Sequence, residues 1–198
     1  MSDPQTSGAR GSYAKSAGFR RAVLDTALRI LAERGFDATT LQLIADEVGR
    51  SKAGLLHHFG SRENLMLEIV RHRDDVNRAR FPADPDGGFG ASEDLVAHNA
   101  TVPGLVALFA VVSALAASDT SDTDRREYFI ARYERNREAF ARRLSQEQQA
   151  GTIRADVDPH VAASLLIATM DGLQVQWLLD ERVDMAEHLR ALVDLLSP

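Results

Sequence analysis

Three residues, Gly49, Arg50 and Ser51, separate two short stretches of helical periodicity, Leu41 to Val48 and Lys52 to Phe59. So short a gap forces the two helices to pack against each other at a steep angle, which is helix-turn-helix spacing. Thr40 and Ser51 stand where N-cap hydroxyls accept orphan backbone N–H groups, and Gly49 admits the backbone conformation that a sharp turn demands. Ile44, Ala45, Val48, Leu55 and Phe59 are expected to share one core.

Helical periodicity extends over nearly the whole chain, and no stretch shows the sustained polar/apolar alternation of a half-buried strand. The expectation is an all-α protein: an N-terminal three-helix helix-turn-helix domain, then a C-terminal helical ligand-binding and dimerisation domain. A first helix is predicted from Ala17 to Arg34, with Phe19, Ala22, Val23, Ala27, Ile30 and Leu31 on its apolar stripe and Gly35 as C-cap. Ser61 caps a longer helix that turns Leu65, Met66, Ile69, Val70 and Val76 inward. The Pro- and Gly-rich stretch Pro82 to Ser92 reads as a linker. The domains are therefore expected at 17–81 and 82–198, after a disordered N-terminal arm, 1–16. Further helices are predicted near Ser92–Asn99, Val102–Ser118, Asp122–Ala150, Asp158–Asp180 and Asp184–Leu196, the fourth opened by an Asp158-Pro159 cap.

With no cysteine among 198 residues, a disulfide framework, a thiolate nucleophile and a cysteine metal site are all excluded. Met1 to Ser16 lacks the apolar core of a signal peptide, and the longest apolar run, Leu105 to Ala117, falls short of the roughly 20 residues of a membrane span. A cytoplasmic location without a membrane partner is expected. His57 and His58 diverge by about 100° on a helix, with no third ligand at useful spacing, so neither a metal nor a cofactor is expected. No nucleophile elbow, paired-histidine metalloprotease motif or phosphate-binding Gly-Lys-Ser/Thr occurs, and no catalytic residue is assigned.

The net charge of −6 hides an asymmetry: residues 1–80 carry +3 and residues 81–198 carry −9. Such a split suggests two tasks. In a helix-turn-helix the second helix enters the major groove of DNA. With Leu55 and Phe59 turned inward, Lys52, Ala53, Gly54, His57 and His58 are left for the groove. Lys52 is suited to a guanine edge or a phosphate, and Ala53 and Gly54 to close backbone approach. Thr40, Gln42, Arg50, Ser51 and Arg62 are the candidate backbone contacts.

The pattern Thr40-x-x-x-Ile44-Ala45-x-x-x-Gly49-x-Ser51-x-x-x-Leu55-x-x-His58-Phe59-x-Ser61-x-x-x-Leu65 resembles the tetracycline-repressor (TetR) family of bacterial transcriptional regulators. Three positions depart from that family. Arg50 replaces a usual apolar turn residue, Gly54 a common Thr, and Leu56 a Tyr that bonds phosphate, which leaves Arg50 or His57 to take over the phosphate contact. The resemblance implies a homodimer whose recognition helices sit roughly 34–36 Å apart on a palindromic operator.

Helix patterning points to a dimer independently. Between Val161 and Leu179 one apolar set, Val161, Leu165, Ala168, Gly172 and Leu179, lies on a different side from Ala162, Leu166, Met170, Leu173 and Trp177. One face is free for a partner, and Leu189, Leu192, Val193 and Leu196 of the last helix are expected to complete the interface. Between head and interface, Phe109, Phe129, Tyr133, Met170 and Trp177 suggest the walls of a pocket for an apolar or aromatic small molecule. His98, Asn99, Arg132, Tyr133 and Gln174 are the candidates to orient it, and Asp171 is placed either to face a polar ligand or to pair with an Arg. The sequence thus reads as a ligand-responsive homodimeric DNA-binding regulator, a repressor released from its operator by the effector. The alternative is an all-helical small-molecule-binding protein or enzyme using the same pocket.

Overall fold

A computed structural model describes residues 6–81, 90–119 and 121–198. Among these residues there are helices and no strands: α1 (Thr6–Ala38), α2 (Leu41–Glu47), α3 (Lys52–Phe59), α4 (Arg62–Arg80), α5 (Gly90–Asn99), α6 (Pro103–Ser118), α7 (Thr123–Ala150), α8 (Pro159–Leu179) and α9 (Met185–Asp194). The helix expected from Ala17 begins at Thr6 instead, so residues 6–16, read as a disordered arm, are helical. Gly35 kinks α1 rather than ending it, with φ 78°, and the Thr39 hydroxyl donates to its carbonyl at 2.7 Å. Residues 82–89 of the expected linker lie outside the described residues, and α5 takes up its last part from Gly90.

Helix starts follow local chemistry. Thr40, Ser51 and Ser61 accept from the backbone N–H groups of Leu43, Gly54 and Asn64 at 3.1, 3.1 and 3.0 Å. Asp122, Asp158 and Asp184 do the same for α7, α8 and α9. Gly49, at φ 65°, makes the turn between α2 and α3.

Two apolar cores result. The first joins Val23, Leu24, Ala27, Ile30 and Leu31 of α1 to Ile44, Leu55, Phe59, Leu65, Ile69 and Val70 of the next three helices. It continues into Leu105, Leu108, Phe109 and Val112 of α6, so the head is closed by a helix from beyond the linker. That closure depends on Gly104, where a Cβ would stand 2.1 Å from the Leu31 carbonyl oxygen and 2.9 Å from Gly35 Cα. Ala22 and Val76 prove exposed, and Leu24 takes the inward place on α1. The second core packs Val96, Val106, Leu144, Ala162, Leu166, Leu173, Trp177 and Leu189 around α7, α8 and α9.

On α8 the two faces separate as expected. Ala162, Leu166, Leu173 and Trp177 are buried, whereas Val161 and Leu165 are each 56% exposed and Leu179 is 84% exposed. Ala168 is also exposed and Gly172 half-buried. α8 is long and apolar enough to cross a membrane by length and composition, but its apolar residues are divided between this chain's core and that open stripe. On α9 the placement differs from the expectation at Leu189. Leu189 is 1% exposed in the second core, and Leu192, Val193 and Leu196 are half-buried against the same core. Leu195, at 74%, is the open apolar side chain of that segment.

Candidate nucleic-acid interface and polar cavity

α3 is held by Leu55 and Phe59, which are 0% and 5% exposed. Their spacing of four turns Lys52, Ala53 and His57 outward, with Gly54 half-buried under the Ser51 cap. Lys52 lines a surface cleft together with Thr40 and Gln42 of the α2 start and Arg62 of the α4 start. Four of the residues predicted to touch a nucleic acid are thereby brought together. Gln42 donates to Asp46 at 2.7 Å, and the Thr40 hydroxyl serves as cap.

His58 does not join this surface. Its ring lies 4.7 Å from that of Phe19, and its carbonyl accepts from Arg20 at 2.7 Å, so the side chain is used to seat α3 on α1. Arg50 remains exposed, with its guanidinium 5.4 Å above the same Phe19 ring. Leu56 is half-buried against the core, which accounts for an apolar residue there.

Electrostatics single out the same place. Arg20, Arg21, Arg29, Arg71 and Arg78 of the head are each ion-paired with Asp or Glu. Arg34, Arg50, Lys52, Arg62 and Arg80 are exposed with no carboxylate partner among the described residues, and three of them, Arg50, Lys52 and Arg62, sit at the turn, the start of α3 and the start of α4. Unpaired cations grouped around a groove-sized helix are what phosphate neutralisation requires.

Deeper in the molecule, α4, α5, α7 and α8 enclose a cavity of about 170 Å³. α4 contributes Arg73, Asp74 and Asn77, with Phe81 just beyond its end; α5 gives Leu95 and Asn99; α7 gives Arg132, Asn136 and Phe140; α8 gives Ile167, Met170, Asp171 and Gln174. Of the predicted ligand residues, Asn99, Arg132, Met170 and Gln174 line it. Phe109 and Tyr133 border an adjoining hollow that shares Asp171 and Gln174. His98 stacks on Phe81 at 5.4 Å, and burial together with Arg80 and Arg73 pushes its pKa down. Phe129 and Trp177 are ordinary core, 5% and 6% exposed.

The lining is more polar than expected: charged and amide side chains share it with Phe81, Leu95, Phe140, Ile167 and Met170. Asp74 accepts from Arg132 Nε at 2.7 Å and from the Tyr128 hydroxyl at 2.6 Å. Asp171 accepts from the Tyr133 hydroxyl at 2.6 Å. Burial pushes both tyrosine pKa values up, reinforced by these carboxylates. It also pushes that of Asp171 up against the pull of Tyr133, Arg132 and Arg73. Arg73 donates to Asn99 at 3.1 Å and lies over the Phe109 ring at 5.4 Å. Arg73 and Asp74 were missed as site residues. The signal was available, because Arg73 follows Ile69 by four and Val70 by three and so occupies the buried stripe of α4.

Comparison with known proteins finds matches to both the N-terminal and the C-terminal part of the chain. Residues 23–69 match the family model of bacterial regulatory proteins, tetR family, and residues 100–197 match that of the C-terminal part of BetI-type transcriptional repressors. The chain is 28% identical over 178 residues to the HTH-type transcriptional repressor Rv1474c of Mycobacterium tuberculosis, covering 90% of each. It is 31% identical over 150 residues to the repressor KstR2 of the same species, covering 70% of this chain and 71% of KstR2. A transcriptional regulator from Saccharomonospora viridis, solved in complex with choline, superposes with a TM-score of 0.69 at 28% identity, over 90% of this chain and 96% of that one. The capped helix-turn-helix, its unpaired cations and these matches lead to one assignment: the chain belongs to the tetR family of bacterial regulatory proteins, DNA-binding regulators of transcription.

Proposed function

We propose that the protein is a homodimeric repressor that leaves a palindromic operator when a small molecule occupies the cavity between α4, α5, α7 and α8. The observation that carries the DNA half is the cleft in which Thr40, Gln42, Lys52 and Arg62 meet beside the exposed face of α3. Lys52, Ala53 and His57 read the groove, while Arg50 and Arg62 clamp phosphates on either side. The exposed stripe of α8, Val161, Leu165, Ala168 and Leu179, supports pairing with a second copy. Two heads then act on one site, and their separation decides whether both fit adjacent turns of the groove.

The effector reading draws support from the cavity and from the choline found in the Saccharomonospora viridis regulator. Coupling runs through α4, which begins with Arg62 at the cleft and carries Arg73 and Asp74 at the cavity. Linkage requires operator DNA to weaken effector binding by the factor that effector weakens DNA binding. The test is a mobility shift of the full chain on its own upstream DNA at physiological salt. Sequence-specific binding is expected, weakened roughly tenfold to a hundredfold in Lys52→Ala. Weak binding that ignores sequence sinks the reading.

A further inference from the structure

The cavity contains one buried positive charge that meets no carboxylate directly, although Asp74 and Asp171 act on it from beyond ion-pair distance. Asp74 is engaged by Arg132 and Tyr128, and Asp171 takes the Tyr133 hydroxyl. Arg73 has no such partner. Among the described residues no carboxylate forms an ion pair with it, its side-chain hydrogen bond goes to the neutral Asn99, and its Nε is buried without an acceptor. At 4% exposure it has little access to bulk water in compensation. Gln174, 7% exposed and lining the same cavity, holds its Oε1 buried without a donor.

A buried guanidinium without a counter-ion and a buried amide oxygen without a donor are each costly. When both border one cavity, they describe the complement of a ligand: an anionic acceptor for Arg73 and a hydrogen-bond donor for Gln174. The remaining charges do not favour a cation instead. Asp74 is already paired with Arg132, and Asp171 is taken up by the Tyr133 hydroxyl.

We propose that this cavity binds a small organic acid bearing a hydroxyl or amino group, its carboxylate on Arg73 and its donor on Gln174 Oε1. The binding stands on these two side chains; its consequence for DNA rests on the effector reading above. An acid seated on Arg73 pulls on α4, whose first turn carries Arg62 at the DNA-reading cleft.

The experiment titrates lactate, mandelate and leucine into the full-length protein at matched ionic strength, with propionate, propylene glycol and choline as comparators. Calorimetry and the thermal midpoint are the readouts. At least one of the three acids is expected to bind and raise the midpoint. Propionate, which lacks the donor, is expected to bind more weakly than lactate, and propylene glycol and choline not at all. Arg73→Met should lower the acid's affinity by roughly tenfold to a hundredfold while leaving the ligand-free midpoint equal or higher, since it removes an unpaired buried charge. If Arg73→Met fails to fold, Gln174→Leu serves instead and should abolish the preference for lactate over propionate.

No binding by any of the acids overturns the proposal, as does acid affinity unchanged in Arg73→Met, or choline binding in their place. Acid binding that is lost in Arg73→Met but leaves the operator complex intact upholds this site and defeats the effector reading. Operator release by choline, with none of the acids bound, does the reverse.

Discussion

The reading head and the body treat their polar groups in opposite ways. In the head, caps act within three residues and ion pairs lie at the surface: Thr40, Ser51 and Ser61 satisfy backbone groups three residues on, and Arg29 bonds Glu33 and Glu47. Its interior is apolar, with Ile30, Leu31, Ile44, Leu55 and Leu65 at 0% exposure. Where the body meets α4, charge lies inside: Arg73, Asp74 and Arg125 are 4%, 8% and 5% exposed. A rigid apolar core suits a surface that must present fixed groups to DNA. A core with unevenly matched charges suits an interior that responds to what enters it.

The largest expected effect comes from breaking the charge network where α4 meets the body. Asp74→Ala leaves Arg132 without its carboxylate, beside an already unpaired Arg73, and should destabilise the protein by about 3–5 kcal/mol. A urea denaturation series checks this, with Arg29→Ala as the matching change in the head. That side chain is nearly half exposed, and its loss should leave the midpoint unmoved. Equal shifts in the two variants would dissolve the contrast between head and body.

Next in size is the junction between them. Gly104→Ala places a methyl group against the Leu31 carbonyl and the Gly35 backbone, neither of which is a flexible side-chain end. Overpacking of this kind costs about 1–3 kcal/mol. Because α6 must back away from α1, operator affinity should fall along with stability. A loss of stability with unchanged operator affinity would mean that the head holds its geometry without α6.

Inside the head, Ser51→Ala removes the hydroxyl that accepts from Gly54 N–H, at a cost of about 1 kcal/mol. The loss falls on the first turn of α3, where Lys52 and Ala53 stand, so fraying there is read as faster amide exchange at Gly54. Protection at Gly54 as high as in the parent would show that packing of Leu55, rather than the cap, fixes the reading end of α3.

The same contrast explains what the sequence disclosed. Helix order and the exposed face of α3 were legible because caps, turn glycines and the Leu55–Phe59 spacing act within a few residues. The exposed stripe from Val161 to Leu179 was legible because it is a periodicity. His58 is half-buried, and its packing was not legible because it depends on Phe19 and Arg20, thirty-eight or more positions away in the chain. The cavity was misjudged for the same reason: Asp74 meets Tyr128 and Arg132 across helices, and composition alone made those walls look apolar. Leu189 looked available to a partner because periodicity marks an apolar face without saying which neighbour covers it.

The smallest expected effect is informative through its sign. Burial raises the folded-state pKa of Asp171 above the ordinary Asp value of about 3.9, outweighing the Tyr133 hydrogen bond and the nearby arginines. From that value up to the raised one, the folded chain holds a proton that the unfolded chain has released. Stability therefore falls as pH rises through this window, and the penalty persists above it. Asp171→Asn keeps an oxygen for the Tyr133 hydroxyl and cannot ionise. Variant and parent should be equally stable at the acid end of the window, with the variant pulling ahead as pH increases, in urea melts at stepped pH. If the parent gains on the variant instead, the arginines and Tyr133 outweigh burial at Asp171, and the cavity's charge is better balanced than its unpaired Arg73 implies.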